Sequence, residues 1–189
     1  MIALLLVLAA APEWSKPDTA DGITLSAREV PGERVVELKL STLTKLSVEA
    51  LCAAAFGQKA LDPSEPDITL RRVVKEGPDE LVTYEQISPP IVNDRDYAVR
   101  TRRQQLPEGG CLVSFAAANE LAPPLPDGFV RIQKLRGSWH IAAEGAQTRL
   151  TYLIFADPGG SIPAAFIEGS RKKTAVVWMK LMLARAAKR

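Results

Sequence analysis

Histidine occurs once in the 189 residues, at His140, and cysteine twice, at Cys52 and Cys111. A zinc site of histidine and cysteine ligands cannot be assembled from that inventory, so no metal is expected. A serine–histidine–acid triad would have to use His140, and no serine sits in a nucleophile-elbow pattern near it. Beside Trp139 it reads instead as a strand histidine with a local hydrogen bond. There is no phosphate-cradling or dinucleotide-type glycine loop: Gly159-Gly160 follows a strand-like run, but its spacing fits neither. No cofactor is expected. Asp94 and Asp96 flank Arg95 and read as arginine partners rather than an acid–base pair. A formal net charge of +2 is too small to suggest a nucleic-acid partner. Hydrophobic and charged fractions of 47% and 24% are those of an ordinary globular protein. An enzyme has little to work with here, and none is expected.

Basic residues are also missing from Met1 to Ala11, where the chain reads MIALLLVLAAA. The run is too short to span a membrane, which takes about 20 apolar residues. Its small residues at Ala9 and Ala11 suit a secretory signal peptide, although the usual positive start is lacking. The expectation is a secreted or periplasmic domain of residues 12–189, monomeric and with one core. The alternative is an apolar N-terminal helix docked on a cytoplasmic domain. Cys52 and Cys111 fit a disulfide after export and equally well two buried thiols.

What is present is mostly short alternating runs. Gly22–Glu29 and Arg34–Leu40 flank Pro31-Gly32, and Val36, Leu38 and Leu40 alternate with charged residues as in a half-buried strand. Ser47 opens an Ala-rich helix that Gly57 can end. Further strands are expected over Ile68–Lys75, Glu80–Ile87, Arg95–Leu106, Cys111–Ala118, Phe129–Ala143 and Gln147–Phe155, with Gly137 marking a bulge or bend. Pro163 suits the first turn of a long helix over Ala164–Ala187. The order gives an α+β fold, with an antiparallel meander and a long C-terminal helix lying across its concave side. Such an arrangement encloses a space, and enclosed spaces are common ligand sites.

Four local signatures then resemble the START domains, the steroidogenic-acute-regulatory-protein-related lipid transfer family. They are DRDYAVR at Asp94–Arg100, Gly137-Ser138-Trp139, the run Thr148–Phe155, and DPGGSIPAAFI at Asp157–Ile167. The resemblance implies a helix-grip fold with one lipid or sterol-like molecule in a tunnel between sheet and helix, for transport or sensing. It also implies an arginine and an acid on neighbouring strands that orient a polar group of the ligand. By position these are Arg100 and Glu85. The related alternative is a polyketide cyclase or aromatase of the same fold, for which Tyr84, Tyr97 and Tyr152 with Arg100 are the acid–base candidates.

The C-terminal helix carries the strongest physical signal. Between Thr174 and Ala184 its one charge is Lys180, so the helix is apolar nearly all round and faces more than one neighbour. One stripe, Val176, Met179 and Leu183, or its neighbour, Val177, Trp178 and Leu181, is expected to roof the cavity, with Met179 and Met182 adapting to the ligand. Tyr152 and Ile154 are expected to line it from the sheet. Seven basic residues and no acidic one lie between Arg171 and Arg189. Arg171, Lys172 and Lys173 therefore suit transient docking on an anionic membrane.

Overall fold

The computed structural model describes residues 12–90, 92–162 and 164–189. The apolar segment Met1–Ala11 and Pro163, both assigned roles above, lie outside the described residues. Ten strands form one sheet: β1 (Asp18–Ala20), β2 (Ile23–Arg28), β3 (Glu37–Thr44), β4 (Ile68–Glu76), β5 (Glu80–Ile87), β6 (Arg95–Gln105), β7 (Cys111–Ala117), β8 (Val130–Arg131), β9 (Lys134–Glu144) and β10 (Gln147–Asp157). Two helices accompany them, α1 (Val48–Phe56) and α2 (Ala164–Ala186). The spatial order is β1-β2-β3-β10-β9-β7-β6-β5-β4, with β8 beside β6. The later strands form the expected meander. β10 then pairs antiparallel with β3, joining the N-terminal strands β1–β3 to the meander.

Local chemistry accounts for the element ends. The Ser47 hydroxyl accepts from the Ala50 N–H at 3.1 Å, and the Gly57 N–H returns to the Ala53 carbonyl, so both ends of α1 are capped. β3 starts at Glu37 rather than at Arg34, because the Arg34 guanidinium turns away to Asp157 and the Gly160 carbonyl. The run expected over Phe129–Ala143 divides in two. β8 pairs parallel with β6, and β9 begins at Lys134.

Gly137 is not a bulge. The register of β9 runs unbroken past it on both sides, opposite Ile154 and Phe115. A β-carbon there would lie 2.3 Å from the Phe115 ring and 2.3 Å from the Leu153 carbonyl oxygen. Glycine is needed because an aromatic ring from the next strand occupies the space of its side chain.

The core lies between the sheet and the two helices. Leu38 and Leu40 of β3, Val113 of β7, Ile141 of β9 and Leu150 of β10 are all buried there. The face that α2 presents to them is Ala175, Met179, Met182 and Ala186, each 3% exposed or less. Met179 and Met182 pack into this core and take no part in the cavity wall, which corrects the expectation that they roof it. Cys52 of α1 and Cys111 of β7 form a disulfide with their α-carbons 6.1 Å apart, which resolves the two readings of this pair.

Candidate functional site

A cavity of about 250 Å³ lies between the inner face of the sheet and the first half of α2. Alternation along the strands decides which residues reach it. On β5 the odd-numbered residues Leu81, Thr83, Glu85 and Ile87 face in, and on β6 Tyr97, Val99 and Thr101 do. Leu38, Phe115, Trp139, Tyr152, Ile154 and Trp178 supply much of the apolar wall. Trp139 and Tyr152 sit opposite each other on β9 and β10 and stack at 3.9 Å between ring centroids. Burial in this wall pushes the Tyr152 phenol above its ordinary pKa, so it stays protonated.

Three charged side chains line the cavity: Arg71, Glu85 and Arg171. Glu85 is fully engaged. One carboxylate oxygen accepts from Arg71 Nε at 2.8 Å and from the Thr83 hydroxyl at 3.0 Å; the other accepts from the Tyr97 hydroxyl at 2.7 Å. Arg71 also donates to Glu65 at 2.8 Å, and Glu65 accepts from Arg185 of α2 at 2.6 Å. Arg185 also donates to the part-exposed Asp62 at 3.1 Å, so two arginines are matched by three carboxylates. Burial works against the charge of Arg71, but Glu85 and Glu65 more than offset it and hold the guanidinium above its ordinary pKa. Burial, with Glu85 adding to it, raises the Tyr97 phenol well above its usual value.

Arg100 is not part of this site. Its neighbours Val99 and Thr101 face in, so its own side chain leaves by the outer face of β6. There it pairs with Glu120 at 2.9 Å and lies 3.8 Å from Glu80. In the β5–β6 register Glu85 is opposite Tyr97, while Arg100 is opposite Val82. The acid expected at Glu85 is on the cavity wall, but its arginine is Arg71, from the strand on its other side. No local pattern marked Arg71, since the β4–β5 ladder that places it opposite Glu85 contains two register shifts.

The remaining expected residues separate. Tyr152, Ile154 and Trp178 line the cavity; Met179 and Met182 do not. The stripe of α2 that faces the cavity is Arg171, Thr174, Ala175 and Trp178, which differs from either stripe drawn on the sequence. Val177, expected beside Trp178, is 42% exposed. Of the three basic residues assigned to membrane docking, Arg171 turns into the cavity, Lys172 pairs with Glu168 at 2.6 Å, and Lys173 is exposed.

The RDY triplet does three separate jobs. Arg95 is buried and reaches the Pro158 carbonyl, tying β6 to the loop that leads into α2. Asp96, fully buried, accepts from Arg131 and from the Tyr84 hydroxyl. Tyr97 closes the Glu85 network. Tyr84 is thus held on Asp96 rather than in the cavity. Two of the sequence signatures, the triplet and DPGG, meet in space.

Comparison with known proteins agrees with this geometry. The START domain family model matches residues 5–188. An uncharacterised protein of Pseudomonas aeruginosa is 25% identical over 158 residues, 82% of this chain and 78% of its own. Among solved structures, a STAR-related lipid transfer protein of Xanthomonas axonopodis superposes with a TM-score of 0.76 at 24% identity, covering 94% of this chain and 99% of that one. Human STARD10 gives 0.78 at 16% identity, covering 94% and 74%. The Zhui aromatase/cyclase of a Streptomyces species shares the fold more distantly, at 0.54 and 12% identity, covering 81% and 94%. The chain belongs to the START domain family, whose members bind lipids or other hydrophobic ligands.

Proposed function

We propose that this chain holds one lipid or sterol-like molecule in the cavity between sheet and α2, as a carrier or sensor. The observation that carries the reading is the cavity wall, aromatic and aliphatic over most of its extent, with Glu85 already satisfied by Arg71, Thr83 and Tyr97. A cyclase-type reaction would call on the same polar groups as acid and base. A phenol raised by burial and already donating to a carboxylate is a poor proton shuttle at neutral pH, which favours the carrier reading.

Extraction of the purified protein followed by mass spectrometry tests this proposal, alongside native mass spectrometry without detergent. A single hydrophobic species in one-to-one ratio is expected. Protein that carries nothing, and takes up neither a fluorescent sterol nor a fluorescent fatty acid, would overturn it.

Two further points belong to the same proposal. Export is supported by the apolar N-terminal segment together with the Cys52–Cys111 disulfide, a bond that persists in oxidising compartments. Thiol labelling of the protein taken from its native compartment would sink the idea if both cysteines reacted freely. Transient docking on anionic lipid keeps Lys173 as an exposed contributor but loses Arg171 to the cavity. Co-sedimentation with anionic vesicles should weaken with added salt, and salt-independent binding would rule the docking out.

A further inference from the structure

Arg171 is the one cavity-lining charge with no ion pair among the described residues. Its Nη2 is buried without a hydrogen-bond acceptor. Arg185 Nη1 and Arg100 Nε share that condition, but each of those guanidinium groups is ion-paired through other atoms. The acids that could serve Arg171 are committed elsewhere. Both oxygens of Asp157 accept from Arg34, one of them also from the Gly159 N–H, and Glu168 is taken by Lys172. Burial pulls the guanidinium below its ordinary pKa, and the partial compensation comes from Asp157, Tyr152 and Glu168. A guanidinium nitrogen buried without an acceptor is costly, and buried charges are as a rule paired and hydrogen-bonded.

The second observation is where this cation sits. On α2 the cavity wall runs from Arg171 to Trp178, about 10 Å along the helix axis. On the cavity wall the ion-pair network is represented by Arg71 and Glu85, from which it runs outward through Glu65 to Arg185 and the part-exposed Asp62. The cavity wall therefore carries one arginine already matched by carboxylates, Arg71, and one that lacks an anion, Arg171. Its volume of about 250 Å³ is below the roughly 300–1,000 Å³ of common ligand pockets, room for one chain rather than two.

We propose that Arg171 anchors the anionic head of a single-chain amphiphile whose tail runs along Trp139, Tyr152 and Trp178. The head is a carboxylate or a phosphate, either of which a guanidinium can grip through two parallel hydrogen bonds. The assignment rests on the lipid-binding reading above and narrows it to one ligand class.

Binding of dodecanoate, dodecyl phosphate, dodecanol and dodecyltrimethylammonium, measured calorimetrically on the intact protein, tests both levels separately. The two anionic chains should bind at least tenfold more tightly than dodecanol, and the cationic chain least. Their ratio tells carboxylate from phosphate. Acetate and inorganic phosphate should not bind at the same concentrations; if they match the chains, the site serves a free anion and the amphiphile proposal fails. Arg171→Met should lose tenfold or more for the anionic chains and keep dodecanol, with Arg171→Lys recovering part of the loss. Without ligand, Arg171→Met should melt at the wild-type temperature or above, because it removes a half-buried, unpaired cation whose Nη2 lacks an acceptor; a structural arginine would give a lower one. Undiminished dodecanoate binding by Arg171→Met overturns the role of Arg171 while leaving the lipid reading intact. Failure of wild type to bind any chain, dodecanol included, overturns both.

Discussion

The two ends of α2 treat buried charge in opposite ways. Near its C-terminus, Arg185 joins Asp62, Glu65, Arg71 and Glu85 in one ion-pair network, and the surrounding structure is tightly tied: Met179, Met182 and Ala186 are buried, and the Cys52–Cys111 disulfide holds α1 to β7. Near its N-terminus, Arg171 faces the cavity with its neighbours' carboxylates already occupied. One end is finished by the protein itself and carries stability. The other has an unmet electrostatic demand inside an apolar wall, which is the arrangement of a site awaiting a ligand. Function is therefore expected to fail from changes at the open end, and folding from changes at the closed end.

The largest effect should come from Glu85→Gln. It leaves Arg71 with Glu65 alone, which Arg185 also claims beside Asp62, and breaking a buried pair in this way typically costs about 3–5 kcal/mol. A lower urea midpoint with unchanged slope is the expected readout. Arg71→Met combined with Glu85→Leu should recover much of the loss, because Glu65 and Arg185 still balance. Dodecanoate should keep its preference over dodecanol in that double variant. If the preference disappears, the closed end takes part in choosing the ligand and the contrast between the ends is wrong.

How the closed end came to be misread shows what a sequence can convey here. Periodicity and turn residues placed most strands, and the capped helix α1 is where Ser47 and Gly57 put it. Glu85 was legible through its position in the START resemblance, and the structure puts it on the inner face of β5. Its partner was not, because naming it requires the register between strands. Two irregularities in the β4–β5 ladder bring Arg71 opposite Glu85, and nothing local encodes them. Arg171 was visible as a charge but not as a direction. In a helix apolar nearly all round, composition does not say which stripe meets the sheet, and here it is Ala175, Met179, Met182 and Ala186 rather than either stripe drawn on the sequence. Gly137 was noticed for the wrong reason, since the Phe115 ring that requires it comes from another strand.

An intermediate effect is expected from removing the disulfide. Cys52→Ala with Cys111→Ala frees a link across a sequence separation of 59 residues, and bonds of that kind commonly contribute about 2–4 kcal/mol. The loss should fall on the closed end: hydrogen exchange should rise in α1 and the last turns of α2 more than around Asp157–Gly160. Chain binding should be little changed at temperatures where the variant is folded. Faster exchange around Asp157–Gly160 than in α1 would show that the two ends are not independent.

The smallest effect should come from Arg100→Met, and it sharpens the comparison by holding the chemistry fixed. Arg71 and Arg100 are the same residue on strands separated only by β5, yet one points inward with its side chain 3% exposed and the other outward with 29% exposed. Arg100 pairs with Glu120, itself 61% exposed; water and salt screen such pairs, and they contribute less than about 1 kcal/mol. The substitution also removes Nε, which has no hydrogen-bond acceptor where it lies, so part of even that small loss should be offset. Ligand preference should not move at all. Arg71→Met alone, by contrast, leaves Glu85 buried with only Thr83 and Tyr97 as donors, and should cost several times more. Similar losses from the two single variants would mean that β6 is displaced by one residue against β5. A slip of that size exchanges every inward side chain for an outward one, and it would return Arg100 to the cavity as the sequence alone suggested.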